Sequence, residues 1–388
     1  MKILTVDIGT GTQDIFLYDS QLHIENGFKL VVPSPTMIVH RQVRAATRAG
    51  DAILLTGVMM GGGPSAWAVE AHASAGLPVY ATPAAAKTLN DELEAVRAAG
   101  VEVVSEDEAA ALPDDVTRIT FRDLNLEAIR NALAAFGVRL ADLDAVAVAV
   151  FDHGDAPPGV SDRQFRFDYL DRRIRARDSL AAFAYLADHV PPIMTRMGAV
   201  AASAGNLDCP LVVMDTAPAA VLGATFDPHV SAQEEVLITN IGNFHTLAFR
   251  IKGDHIAGVF EHHTGEIDLP KLESLLVRLA DGTLQHADVF DDMGHGALMY
   301  THEPFEFGVE TFDVVVTGPR RSMFDRKSPI ENQKSLTPYF ATPFGDMMIA
   351  GCFGLLAATA EVLPDLADSI RASMTANGNG RAPWETAD

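Results

Sequence analysis

Thr5-Val6-Asp7-Ile8-Gly9-Thr10-Gly11-Thr12-Gln13-Asp14-Ile15 is the stretch on which the fold turns. An apolar run from Ile3 to Val6 ends at Asp7, and a second from Ile15 to Tyr18 ends at Asp19. The pattern predicts a strand, a tight turn and a second strand. Glycine lets backbone N–H groups approach a ligand, and the threonine hydroxyls add donors. A carboxylate at the mouth of such a loop can hold a hydrated divalent cation that bridges to phosphates. Asp7 is thus the metal-side candidate, and Gly9, Thr10, Gly11 and Thr12 are the candidate phosphate cradle. An ordinary glycine-rich hairpin reads the same residues without a ligand. The loop has no Gly-Lys-Ser/Thr, so it is not a Walker A loop. It leads into a strand and not a helix, so it is not a dinucleotide fingerprint.

Five further stretches follow in order. Asp144-Ala-Val-Ala-Val-Ala-Val-Phe151 is a small-residue strand, buried on both faces, ending in Asp152-His153-Gly154-Asp155. Polar groups at the carboxyl end of such a strand are where open α/β sheets bind ligands; a loop with a cap-forming Asp is the alternative. Leu211 to Met214 is a strand with Asp215 at its tip, followed by a small-residue helix from Pro218 to Ala224. Val236-Leu-Ile-Thr239-Asn240-Ile241-Gly242-Asn243-Phe244-His245-Thr246 repeats the strand–glycine turn–strand pattern. Phe312 to Val316 delivers Thr317-Gly318-Pro319-Arg320, and Pro343 to Ala357 is a second apolar helix rich in small residues.

Taken together over residues 3–357, these stretches resemble the motifs of the actin-like ATPase superfamily of sugar kinases, DnaK-type chaperones and actin. The form Asp7-Ile8-Gly9-Thr10-x-Thr12-x-Asp14 is similar to hydantoinase-type and acyl-CoA dehydratase activator-type members. The nearest resemblance is to a family labelled "putative pyruvate formate-lyase activating enzyme". The resemblance implies an α/β fold of two ribonuclease H-like domains with a nucleotide cleft between them. It implies ATP and Mg2+ as cofactors. Asp7 and Asn240 fall on the metal side, and Gly242, Asn243, His245 and Thr246 on the second phosphate motif. Thr317, Gly318 and Arg320 fall on the adenosine motif. Asp215, or Asp152 beside the substrate, falls in the general-base role. The two small-residue helices are implied to pair at an interdomain hinge. The chain departs from the family pattern in four places. Asn240 replaces an Asp, Asn243-Phe244 replaces glycines, Pro319 replaces a second glycine, and Asp215 is offset by about one residue.

The implied domains are residues 1–225, with a helical insertion about 156–206, and residues 226–374 including the closing hinge helix, with a disordered tail at 375–388. Between 28 and 104, alternating strands and helices predict a mostly parallel sheet. The glycine loop 56–64 reads as a turn or a ligand contact, and 105–117 as an acidic, exposed stretch.

The net charge of −23 in 388 residues argues against nucleic acid and anionic membrane surfaces. No apolar window reaches about 18 residues, and no signal peptide is read. Two cysteines, Cys209 and Cys352, point to a reducing, cytoplasmic compartment. They also exclude the Cys-x-x-x-Cys-x-x-Cys site that a radical activating enzyme needs. The first reading is ATP-dependent phosphotransfer or hydrolysis, coupled to a small-molecule substrate or a partner enzyme. A nucleotide-binding regulator with little hydrolysis is the second. A metal-dependent enzyme using the histidine-rich segment 254–302, with Glu261-His262-His263 and Glu266, is the third. A homodimer is left open.

Overall fold

The computed structural model describes residues 1–307, 311–325, 335–375 and 380–386. β1 (Lys2–Ile8), β2 (Thr12–Asp19) and β3 (Phe28–Pro33) form an antiparallel meander, as the apolar runs predict. The chain then leaves this sheet. β4 (Ile53–Gly57), β5 (Val79–Ala81), β6 (Glu102–Val103) and β7 (Thr117–Phe121) make a separate parallel sheet in the order β6-β5-β4-β7. It has its own core around Val43, Leu55, Val69 and Phe121. β8 (Ala145–Val150), β9 (Ala184–Leu186) and β10 (Leu211–Asp215) return to the first sheet, whose order is β3-β2-β1-β8-β10-β9.

Every residue of β8 is buried. Its valines pack with Met197 and Val200, and Ala147 and Ala149 pack with Ala219, Leu355 and Ala358. Small residues on the second face let two helices approach the sheet closely.

The second half repeats the plan. β11 (Glu235–Ile241), β12 (His245–Lys252) and β13 (His255–His263) form a meander, extended at its edge by β14 (Gly296–Met299). β15 (Val314–Thr317) pairs in parallel with β11, and β16 (Pro338–Phe340) with β15. In both sheets the first strand of the meander carries the parallel strands on its other side. Two such ribonuclease H-like sheets in one chain are the actin-like ATPase fold.

The helices Thr216–Ala224 and Ala350–Val362 cross in backbone contact. A Cβ at Gly223 would fall 1.7 Å from Ala350 O, and one at Gly354 would fall 1.9 Å from Ala219 O. Only glycine fits either position. Gly354→Val therefore forces the helices apart and destabilises the protein by about 3 kcal/mol or more. Chemical unfolding measures this, and an unchanged midpoint would remove the close crossing.

The structure differs from the sequence reading in four places. Residues 34–124 are a third, inserted unit and not part of the first sheet. The long helix expected over 84–99 is two short ones, Pro83–Ala86 and Leu93–Ala98. Asn90 interrupts it, its side chain accepting the Glu92 N–H at 2.8 Å. The acidic stretch is largely exposed, as read, and carries a helix, Glu106–Ala111, with Ser105 and Glu108 forming a capping box. The closing helix Ala350–Val362 and the next, Pro364–Ser373, pack on the first sheet, where Tyr18 donates to Ser373 Oγ at 2.6 Å. Of the tail expected at 375–388, residues 376–379 and 387–388 lie outside the described residues. Within the rest, Arg381 N–H donates to Gln21 O at 2.8 Å, so that part is docked. Among the described residues no helix is long and apolar enough to cross a membrane.

Candidate functional site

A cavity of about 480 Å3 lies where the two ribonuclease H-like sheets and the inserted unit meet, within the size range of small-molecule sites. Two glycine turns face each other across it. Gly9 N–H closes the first turn on Thr12 O at 3.0 Å, and Gly242 N–H closes the second on His245 O at 2.9 Å. A Cβ at Gly11 would fall 2.5 Å from Asn243 Nδ2, so the turns touch. A side chain at Gly242 would press on His245 O at 2.7 Å, so the turn itself requires that glycine.

Asp7 sits at the end of β1 and is 9% exposed. Thr216 Oγ1 donates to its Oδ1 at 2.6 Å. Burial pushes Asp7 up to about 6, against the Thr216 hydrogen bond, with the charge of Asp215 adding to the rise. Its cross-strand partner is Asp14, a residue the sequence motif contains but to which the reading gave no role. Burial, and next the charge of Asp7, push Asp14 up to about 8. Asp14 Oδ1 is buried with no hydrogen-bond partner. Two opposed carboxylates, one with an orphaned oxygen, fit a divalent cation. Asn240 lines the same cavity.

Thr317, Gly318 and Met347 also line the cavity. Gly318 has φ +97°, and a Cβ there would meet Asn240 Oδ1 at 2.5 Å and Ile241 O at 2.6 Å. The chain thus passes flat against the neighbouring strand and leaves backbone facing the cleft.

Four expected site residues are placed otherwise. Asp215 lines no part of the cavity and is fully buried. It accepts from Arg166 Nη1 at 2.6 Å and from the Ala217 N–H at 2.9 Å, capping the helix that follows. Asp152 reaches the cavity wall, but its two oxygens accept the Gly154 and Met197 N–H groups at 2.8 and 2.9 Å; it is the cap-forming Asp of the alternative reading. Thr246 follows His245 on β12 and, by strand alternation, faces away, bonding Thr264 Oγ1 at 2.9 Å. Arg320 is exposed and outside the cavity. The remaining candidates, His245 included, do line it.

The inserted unit supplies part of the wall: the sequence admits the loop 56–64 as a turn or a ligand contact and gives no role to Lys87 or Asp91. Met59 to Gly63, Lys87 and Asp91 line the cavity. The glycine run 61–63 was the visible signal. A Cβ at Gly61 would fall 2.6 Å from Arg196 Nη2 and 2.8 Å from Thr36 Oγ1, so the loop is packed tight. Arg196 is anchored by Asp123 at 2.7 and 2.9 Å. Phe244, which breaks the glycine pattern of the second turn, packs its ring 5.4 Å from that of Trp67 in the inserted unit. Beneath the cavity, Arg166 also bonds Glu261 at 2.9 Å and lies 3.9 Å over the Phe151 ring. Phe151 stacks on His245 at 4.1 Å. Burial holds His153 down to about 3 and lowers His245, with the Arg166 charge acting in the same direction, so both imidazoles are neutral.

No curated protein matches the chain. Three solved structures are similar at low level. A ROK hexokinase from Thermus thermophilus is 13% identical with TM-score 0.23, over 66% of this chain and 48% of that one. MreB5 of Spiroplasma citri bound to ADP is 12% identical with TM-score 0.31, over 95% and 98%. An acetone carboxylase in its nucleotide-free form is 11% identical with TM-score 0.21, over 66% and 45%. The chain thus spans about half the length of that hexokinase. At these scores the fold rests on the strand order and not on the likeness. A family model described as "Putative pyruvate format-lyase activating enzyme (DUF1786)" matches residues 60–323, and the chain belongs to that family.

Proposed function

We propose that the cleft binds Mg-ATP and serves ATP-dependent phosphotransfer or hydrolysis coupled to a small-molecule substrate or a partner enzyme. The observation that carries this is the pair of opposed glycine turns beside the Asp7–Asp14 carboxylate pair. Backbone groups of Gly9 to Thr12 and of Gly242 and Asn243 cradle phosphates. Asp7, Asp14 and Asn240 hold the cation, directly or through waters. Thr317 and Gly318, which line the same cavity, would border the nucleoside. Bound Mg-ATP supplies a transferable phosphoryl group with its charge partly neutralised. The chain's contribution is positioning and water exclusion, with the inserted unit closing the wall opposite. Lys87 stands on that wall as a cation, whereas Arg196 is already paired with Asp123.

The placement of Asp215 and Asp152 bears on the chemistry. Both are engaged, Asp215 by Arg166 and Asp152 by backbone N–H groups. In this reading Asp215, held by Arg166, acts as a positioning residue beneath the site, and Asp152 fixes the helix Thr195–Ser203 that carries Arg196. The absence of a free carboxylate at either position favours a second reading, a nucleotide-binding regulator with slow hydrolysis. The activity in the family description is not proposed, because two cysteines cannot form a three-cysteine cluster site within this chain.

Asp7→Asn removes one anionic ligand and keeps the side-chain volume. The loss of a charged contact is worth about 3 kcal/mol, or about a hundredfold in Mg-ATP affinity. Calorimetry measures it. Unchanged affinity would take Asp7 off the metal side. ADP formation followed with and without candidate phosphate acceptors separates the two readings.

A further inference from the structure

Three histidines from distant parts of the chain converge beside the cavity. His153 follows β8, His245 opens β12, and His295 lies just before β14. One ring nitrogen from each lies within 4.8 Å of the other two. His153 Nε2 and His295 Nε2 are 3.3 Å apart. That is about the separation of two imidazole nitrogens each ~2.0–2.1 Å from one tetrahedral ion. Two ring nitrogens facing each other so closely need a proton or a cation between them.

A second observation stands behind His295. Its Nδ1 and Glu261 Oε1 are 3.6 Å apart, and neither has a hydrogen-bond partner although both are buried. A proton on Nδ1, aimed at Glu261, leaves the Nε2 lone pair turned towards His153. Metal-binding histidines characteristically carry such a carboxylate on the other ring nitrogen, which fixes tautomer and orientation. The guanidinium groups near the histidines are paired with carboxylates. Arg166 lies between two of them, Asp215 at 2.6 Å and Glu261 at 2.9 Å. Arg196 is neutralised by Asp123 at 2.7 Å.

We propose that His153, His245 and His295 bind a zinc-class divalent ion, with Glu261 orienting His295 and the fourth coordination position open to the cavity. His153 and His245 line the cavity wall, while His295 lies behind them. Imidazole donors select zinc and its transition-metal neighbours over magnesium, which takes oxygen ligands. The site is thus chemically distinct from the Asp7–Asp14 pair. Its ligands come from both ribonuclease H-like sheets, so the bound ion ties the two halves of the cleft together. The sequence-adjacent group at 261–263 is split by strand alternation. His262 points to the opposite face, 3.5 Å from Asp292.

The full chain, stripped of metal with a chelator, is titrated with zinc and separately with cobalt, without nucleotide. The expected result is one ion per chain, a raised melting temperature, and the visible d–d bands of tetrahedral Co2+. His295→Ala and His153→Ala should each weaken zinc binding by at least about a hundredfold. Glu261→Gln should weaken it by about 10–100-fold while keeping the cobalt spectrum. Far-UV circular dichroism checks each variant. If His295→Ala does not fold, His153→Ala and His245→Ala give the same reading. No stoichiometric zinc uptake by the wild-type chain overturns the proposal, and so does uptake unchanged in the folded histidine variants. Because nucleotide is left out, failure of the Mg-ATP reading and failure of this one are separate results.

Discussion

Arg166→Ala destabilises the protein by about 3–5 kcal/mol. Arg166 is only 1% exposed and faces two carboxylates, Asp215 at 2.6 Å and Glu261 at 2.9 Å. Its Nη1 also donates to Asp152 O at 2.9 Å. Truncation leaves two buried carboxylates without a counter-charge, and that uncompensated burial is the main cost. The network also joins the sheets, because Asp215 ends β10 and Glu261 lies on β13. Urea unfolding checks the size of the effect. Replacing all three residues with neutral ones, Arg166→Met with Asp215→Asn and Glu261→Gln, should recover much of the loss, since no charge is then left unpaired. The exposed pair Arg175–Asp171 provides the contrast, and Arg175→Ala should cost under about 1 kcal/mol. A loss below 1 kcal/mol for Arg166→Ala would mean that the buried network does not form.

Asp14→Asn acts in the opposite direction on stability and against function. In the folded chain burial and the charge of Asp7 push Asp14 up to about 8, whereas an unfolded Asp titrates near about 3.9. Below about pH 4 both states hold the proton, and its contribution to stability is fully present. Between about 4 and 8 the folded state keeps a proton that the unfolded chain releases, so stability falls as pH rises through this window. Asparagine needs no proton. The metal-free variant should therefore be more stable than wild type at pH 8, by on the order of 3 kcal/mol. That corresponds to a rise of several degrees in melting temperature. The difference should shrink as pH is lowered towards 4. The same substitution removes an anionic ligand opposite Asp7, so Mg-ATP affinity should drop. Thermal unfolding at pH 5.5 and 8.5, with and without Mg-ATP, reads both effects. A variant less stable than wild type at pH 8.5 would refute the unpartnered carboxylate.

The fold was largely legible because its signals are local. Apolar runs of strand length, ended by Asp and joined by glycine turns, mark β1–β2 and β11–β12. The small-residue helices announce a close crossing, which Gly223 and Gly354 make. What was not legible is non-local. The strands at 53–57 and 79–81 look the same whichever sheet they join, and only their pairing shows a separate sheet. The helix Ala350–Val362 follows the second sheet in sequence, yet its apolar surface fits the first. Roles assigned by resemblance met the same limit. Asp215 has the expected position at a strand tip, but Arg166 lies 49 residues away and nothing in the local sequence announces the ion pair. The Asp152–Met197 cap spans 45 residues, and the His153–His295 approach spans 142. No spacing motif can reveal contacts of that kind.

The central claim is that the two glycine turns and the carboxylate pair hold a magnesium nucleotide. The most direct test is a calorimetric titration of the purified chain with ATP in the presence and absence of Mg2+, with ADP formation followed in the same sample. The account predicts saturable binding of one ATP per chain, dependent on Mg2+ and weakened about a hundredfold by Asp7→Asn. No binding of ATP, ADP or GTP, with or without Mg2+, would contradict it, and the fold would then serve other chemistry.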